Sequence, residues 1–246
     1  MGTPWHEARF GNGPVELVWL HGWGQRHASL MPLAQGFDAR ALNRLVDLPG
    51  FGATAPLAEG AGTADYADAL MAQLGPHAMP RVLIGHSYGA RVAVQAAARH
   101  GNAVDAIVLV AGAGIPRKRS LACKLRAWTL KRLGRIARLA GPAAQDAYRR
   151  RFGSADYVRA GRLRGTLVSA VTENLTAQAA AIACPVLLLY GEEDSETPVD
   201  IGQAYAAACA DARLKVLPGF GHLDILSRGA HLCQRHIARF LDESGL

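Results

Sequence analysis

Arg81-Val82-Leu83-Ile84-Gly85-His86-Ser87-Tyr88-Gly89-Ala90 decides the reading of this chain: an apolar run, a serine between two glycines, then a helix-like run that continues to His100. The passage predicts a strand, a sharp turn and a helix, with Ser87 at the apex in a φ > 0 conformation that holds its hydroxyl clear of the backbone. The flanking glycines suit a place where helix and strand approach closely. With 27 glycines in 246 residues, the five-residue pattern alone also fits an ordinary glycine-rich turn, so other residues must decide.

Three further segments do so. His21-Gly22-Trp23-Gly24 follows the strand-like Val15-Glu16-Leu17-Val18-Trp19-Leu20. Gly191-Glu192-Glu193-Asp194 follows the apolar run ending at Tyr190, and Gly219-Phe220-Gly221-His222 follows Leu214-Lys215-Val216-Leu217. Each therefore lies just past a strand, where open α/β sheets place their ligands. Among nine histidines, His222 is preferred as a base because it follows a glycine-rich turn after the last strand, whereas His231 and His236 fit positions on a final helix. For an acid, Glu192, Glu193, Asp194 and Asp200 all compete. Asp47 ends a strand before Pro49-Gly50, and turn-forming hydrogen bonds account for it.

Strands are expected at residues 5–10, 15–20, 42–47, 81–85, 106–111, 186–190 and 214–217, each short, apolar and bounded by turn residues. Helix-sized stretches lie between them. One runs from a capping Thr63 to Leu74, with early acids Asp65 and Asp68; another covers residues 199–210 after Thr197-Pro198. Near-continuous apolar strands alternating with helices argue for an α/β fold with a mostly parallel sheet covered on both faces.

Residues 113–176 break that alternation, so the organisation expected is a core of residues 1–112 and 177–246 carrying an insertion at 113–176. The charge shifts sharply there. Residues 115–165 hold 15 Lys or Arg against Asp146 and Asp156, a net +13, while the rest of the chain nets −6. The spacing of Leu121, Leu125, Trp128, Leu133, Ile136 and Leu139 predicts amphipathic helices with an apolar underside and a cationic exterior.

The chain resembles an α/β-hydrolase over everything except residues 113–176, and Ser87, Asp194, His222 stand in the chain order such enzymes use. In its amino-terminal part, Val18-Trp19-Leu20-His21-Gly22-Trp23-Gly24 and Val46-Asp47-Leu48-Pro49-Gly50-Phe51-Gly52 are similar to the pimeloyl-carrier-protein methyl ester esterases of biotin biosynthesis. The resemblance implies an α/β-hydrolase fold with a helical lid at 113–176 that roofs the active site. It selects Asp194 through the family spacing from Gly191 to Pro198, with Asp200 in reserve, and it puts Trp23, directly after His21-Gly22, in the oxyanion hole.

The chemistry implied is that of a serine carboxylesterase. Ser87 needs a base, a histidine is the side-chain type suited to that task, and in this reading His222 is the base and Asp194 fixes its tautomer. Backbone N–H groups of Tyr88 and Trp23 hold the oxyanion, the former aided by the positive end of its helix. His86 and His21 are expected to pack and shape loops. The substrate expected is a small acyl ester, in its most specific form the methyl ester of a carrier-bound acyl chain. A general short-chain esterase, a thioesterase or a C–C bond hydrolase uses the same triad, and a ligand-binding receptor uses the same fold.

The basic segment reads either as solvated surface or as a docking face for an acidic acyl carrier protein, an anionic lipid surface or an acyl-CoA, with Arg149, Arg150 and Arg151 its sharpest candidates. Nucleic acid is disfavoured, since few aromatics interleave the charges. No cofactor and no metal are expected. Cys123, Cys184, Cys209 and Cys233 have no CxxC spacing and are expected as reduced thiols, which suits the cytoplasm. No apolar run approaches the roughly 18 residues that would span a bilayer.

Overall fold

A computed structural model describes residues 4–116, 132–133, 135–136, 138–144, 156 and 159–246. Seven strands build one sheet: β1 (Glu7–Phe10), β2 (Val15–Leu20), β3 (Ala41–Val46), β4 (Arg81–His86), β5 (Ala106–Val110), β6 (Val186–Gly191) and β7 (Ala212–Leu217). Their order is β1-β3-β2-β4-β5-β6-β7. β1 runs antiparallel to β3 and every other pairing is parallel. The seven expected strands are all present. The first starts at Glu7 rather than at residue 5, because its pairing begins with Glu7 opposite Val46, the last residue of β3.

Side chains alternate across the strands, so each central strand feeds two apolar layers. Val18, Leu20, Leu83, Leu109 and Leu188 pack on one face, against α2 (Thr63–Leu74), α3 (Tyr88–Arg99) and, near the far edge, a helix at Val199–Ala208. Leu17, Trp19, Ile84, Val108 and Leu189 pack on the other, against the short α1 (Met31–Ala34) and the final helix Ala230–Glu243 through Leu33, Cys233, Ile237 and Phe240. His231 and His236 do lie on that final helix.

Two helix boundaries differ from expectation. Thr63 is the first helical residue of α2 rather than its cap; Gly62 takes the cap position, and its N–H is satisfied by Asp65 Oδ2 at 2.7 Å. That frees the Thr63 hydroxyl to bond Glu173. The 199–210 helix ends at Ala208, where Cys209 turns extended at ψ 144.

α4 (Arg164–Thr172), within the expected insertion, and α5 (Thr176–Ala180), which begins at its last residue, are tied to the sheet layer. Glu173 between them accepts a hydrogen bond from Gln95 Nε2 of α3 at 2.9 Å, and Leu175 N–H donates to Gly114 O at 3.0 Å. Leu133, Ile136 and Leu139 are helical as expected, but all three are exposed, Leu139 by 88%. The apolar underside therefore is not packed down at these positions. Leu121, Leu125, Trp128, Cys123 and Arg149, Arg150 and Arg151 lie outside the described residues.

No helix among the described residues is long and apolar enough to cross a membrane. Cys184, Cys209 and Cys233 are unpaired thiols, and burial pushes them up to about 11, 11 and 12, which makes them poor nucleophiles near neutrality.

Candidate active site

The β4 to α3 turn has the form that its glycines demand. Ser87 sits at φ 50, ψ −104, a conformation that strains any residue with a Cβ. A Cβ on Gly85 would lie 2.5 Å from Ala90 N, and one on Gly89 would lie 2.1 Å from Leu20 O, so strand and helix could not close on the turn with larger residues. Ser87 N–H is held by Val110 O of β5 at 3.1 Å. Ser87 is partly exposed between buried His86 and buried Tyr88, so of the three it alone is open to solvent. Tyr88 opens α3, so its N–H belongs to the first turn, which has no intrahelical acceptor.

Asp194, 3% exposed in the loop after β6, is the acid that meets His222. Nδ1 of His222 donates to Asp194 Oδ2 at 2.8 Å. The same carboxylate accepts the N–H of Glu196 at 2.8 Å and of Thr197 at 2.9 Å on Oδ1, and lies 2.8 Å from the Thr197 hydroxyl on Oδ2. Burial would raise the Asp194 pKa, but the hydrogen bonds from His222 and Thr197 outweigh it and hold the carboxyl below its ordinary value. With its Nδ1 proton given to Asp194, a neutral His222 carries its lone pair on Nε2.

His86 links the two halves of the site. Its Nε2–H donates to the backbone carbonyl of His222 at 3.1 Å, and the two rings lie 4.8 Å apart. Burial, then the charge of a protonated His222, drives the His86 pKa down to about 3. Its Nδ1 has no hydrogen-bond partner and abuts Gly22, where a Cβ would come within 2.7 Å. His21 shapes the opposite loop: Nε2 accepts from Leu48 N–H at 3.0 Å, so Nδ1–H is left to donate to Gly22 O at 2.8 Å. Burial lowers this ring to about 4. Both histidines are thus neutral packing groups, as the sequence suggested.

Trp23 stands beside Tyr88, with ring centroids 5.3 Å apart and edge to face, and Phe51 touches both. These aromatics form a wall that continues into a cavity of about 410 Å³ lined by Trp23, Phe51, Pro56, Arg159, Arg162 and Leu163, among others. The cavity thus has an apolar side on the sheet loops and a charged rim in which Arg159 and Arg162 stand with Asp156.

The structure joins Asp194 to His222 and ties His222 to the Ser87 turn through His86. Among the described residues, no hydrogen bond runs from Ser87 Oγ to His222 Nε2, which lies 3.6 Å from Glu196 Oε2. Such contacts commonly tighten only around substrate. Sequence reasoning passed over Thr197, which grips Asp194 twice and whose hydroxyl lies 2.9 Å from Ala111 O. Ala111 joins Ser87 among the described residues as a non-glycine residue at positive φ, at 48°, and abuts the site from the end of β5. The available signal is Thr197's place within the Asp194 to Pro198 spacing.

A family model described as the alpha/beta hydrolase family matches residues 17–232. The chain is 31% identical over 240 residues to a pimeloyl-[acyl-carrier protein] methyl ester esterase of Chromobacterium violaceum, covering 88% of this chain and 90% of that one. It is 40% identical over 105 residues to the enzyme of the same name from Aeromonas salmonicida, a match spanning 42% of this chain and 39% of the other. A thermophilic esterase from Thermogutta terrifontis superposes with a TM-score of 0.72 at 21% identity, covering 98% of this chain and 93% of that one, a likeness of fold.

Proposed function

The chain belongs to the alpha/beta hydrolase family, and from that premise we propose that it is a serine carboxylesterase in which Ser87 attacks, His222 moves the proton and Asp194 orients His222. The observation that carries the reading is the meeting, across His86, of a strained serine turn with a histidine whose Nδ1 is bonded to a buried carboxylate.

In this mechanism His222 Nε2 takes the Ser87 proton as Oγ adds to the ester carbonyl. The resulting oxyanion lies against the N–H groups of Tyr88 and Trp23, and Asp194 offsets the charge of the imidazolium. Collapse expels the alcohol with the proton from Nε2 and leaves an acyl group on Ser87. Water, deprotonated by the same nitrogen, then releases the acid and restores the hydroxyl.

The substrate we propose is a methyl ester of an acyl chain held on an acidic carrier protein. Two observations support it: the similarity to the Chromobacterium violaceum enzyme along nearly the whole chain, and the +13 segment, whose Arg159 and Arg162 flank the cavity beside Trp23. Attraction between that segment and an acidic carrier raises the encounter rate and is screened by salt. Arg149, Arg150 and Arg151 belong to the same docking face in this reading.

Labelling with a fluorophosphonate probe, followed by turnover of methyl, ethyl and p-nitrophenyl esters, free and carrier-bound, tests the proposal. Ser87→Ala and His222→Ala are expected to abolish labelling and turnover, and Asp194→Asn to lower the rate by roughly 10⁴. Full activity in Ser87→Ala would sink the serine mechanism. Turnover of free and carrier-bound methyl esters with equal kcat/KM at low salt would remove the carrier from the reading while leaving the esterase.

A further inference from the structure

Three segments converge on Asp47, away from the groups assigned to ester hydrolysis. Antiparallel pairing sets Glu7 opposite Val46, so the next residues outward, His6 and Asp47, face one another, and Asp47 N–H donates to His6 O at 2.8 Å. His27 arrives from the loop after β2, and its backbone N–H donates to Asp47 Oδ1 at 2.7 Å. The side chains follow the backbones. His27 Nδ1 lies 2.8 Å from Oδ1, His6 Nδ1 lies 3.1 Å from Oδ2, and the three donor atoms all fall within 4.8 Å of one another.

We propose that His6, His27 and Asp47 form a binding site for a divalent transition metal of the zinc type, which braces the loop after β3. Ligand bonds of about 2.0–2.2 Å place neighbouring donors of a tetrahedral ion about 3.3–3.5 Å apart. The observed separations bracket that range, so small shifts of two side chains complete the set. Two imidazoles and one carboxylate favour zinc, nickel, cobalt or copper over calcium or magnesium.

Access and support are both built in. The His6 side chain is 47% exposed and the His27 side chain 19%, leaving a path for the ion and room for a water as fourth ligand, while Asp47 is buried at 1%. Ala53 N–H holds Asp47 Oδ2 at 2.9 Å, the kind of outer hydrogen bond that orients a ligating carboxylate. Burial opposes ionisation of Asp47, yet hydrogen bonds from His27 and Ala53 prevail and keep it below the ordinary carboxylate range. A neutral imidazole frees Nδ1 by moving its proton to Nε2, which leaves the lone pair that a metal takes. The braced loop carries Phe51, whose ring touches His21 and Trp23.

The test is calorimetric titration of zinc chloride into the tag-free, metal-stripped full chain at pH 7.5, with cobalt(II) absorption as a second probe. One saturable ion per chain is expected, with a cobalt spectrum of low coordination number and a melting temperature that rises with zinc. His6→Gln and His27→Gln should each weaken binding at least tenfold and remove the thermal shift. His77→Gln, at a lone histidine 3.5 Å from Asp105, should leave both unchanged. Circular dichroism confirms that each variant folds; His6, being half exposed, is the safer of the two. Absence of saturable binding overturns the site, as does unchanged affinity in folded His6→Gln.

Discussion

Glu196 Oε2 lies 3.6 Å from Nε2 of His222, the ring nitrogen opposite the one that Asp194 holds. One histidine therefore has a carboxylate at each end, one buried and one 68% exposed. The outer carboxylate places negative charge beside the nitrogen that receives the Ser87 proton in the proposed mechanism. Exposure keeps the effect small, since such pairs contribute about 0.2–1 kcal/mol. Glu196→Gln is thus expected to lower kcat/KM for a neutral p-nitrophenyl ester by no more than about fivefold at low salt. The difference should shrink as salt is added. A rise in kcat/KM, or a loss of orders of magnitude, would refute this weak electrostatic role.

Thr197 has a larger expected effect than its neutral side chain suggests. Its hydroxyl lies within 2.8 Å of Asp194 and 2.9 Å of Ala111 O, and its N–H binds the same carboxylate. Thr197→Val keeps the shape and removes the hydroxyl, leaving a buried acceptor short of a donor at about 1–3 kcal/mol. Chemical denaturation should register that loss, and kcat should fall about tenfold or more as Asp194 loses its fixed orientation. Thr197→Ser should recover both. A Val variant with wild-type kcat would mean that the backbone N–H groups alone position the acid.

The parts of the site legible in the sequence are those where backbone geometry restricts residue choice. Gly85 and Gly89 announce the turn because no Cβ fits between strand and helix, and strand ends announce the loops of Asp194 and His222 because apolar runs stop there, while the choice of Asp194 over Glu192, Glu193 and Asp200 rests on the family spacing. Thr197 escaped because buried hydroxyls share their residue type with countless capping threonines, and only tertiary contact separates the two. Thr63 shows the same ambiguity from the other side: it looked like a helix cap, but bonds Glu173 instead. Asp47 reads in the sequence as a turn residue, yet its partners His6 and His27 lie 41 and 20 positions back; the sheet register brings up His6 and the loop after β2 brings up His27. The exposure of Leu133, Ile136 and Leu139 was equally invisible, since periodicity gives a helix an apolar face without stating what covers it.

Acid sensitivity follows from the two buried histidines. His86 is lowered to about 3 and His21 to about 4, burial being the main cause in both. In the unfolded chain each takes a proton near pH 6.5, whereas the folded chain resists until the lower values. Between these limits the unfolded state binds more protons, so stability rises with pH. The contribution is complete above about pH 6.5 and is lost progressively as pH falls towards 4 and then 3. Urea midpoints should decline across pH 6.5 to 4, and His86→Gln, whose amide can still donate to His222 O, should show a shallower decline. A slope unchanged by this substitution would remove His86 from the account.

The strained turn leads to a prediction about sign. At φ 50, ψ −104, a residue with a Cβ is held in a conformation that glycine adopts freely, at an expense of about 1–3 kcal/mol. Ser87→Ala keeps the Cβ and hence the strain; Ser87→Gly releases it, offset in part by the greater freedom of glycine in the unfolded chain. Both variants should lack ester hydrolysis. Ser87→Gly should nonetheless be more stable than Ser87→Ala by about 1 kcal/mol in chemical denaturation, the reverse of the order in a helix interior. The more stable glycine variant would show that the serine turn is held in place by its surroundings, Val110 O and the close approach at Gly85 and Gly89, against its own backbone preference. If Ser87→Ala is instead the more stable, the turn relaxes in solution to a φ below zero, and the hydroxyl is not presented as described.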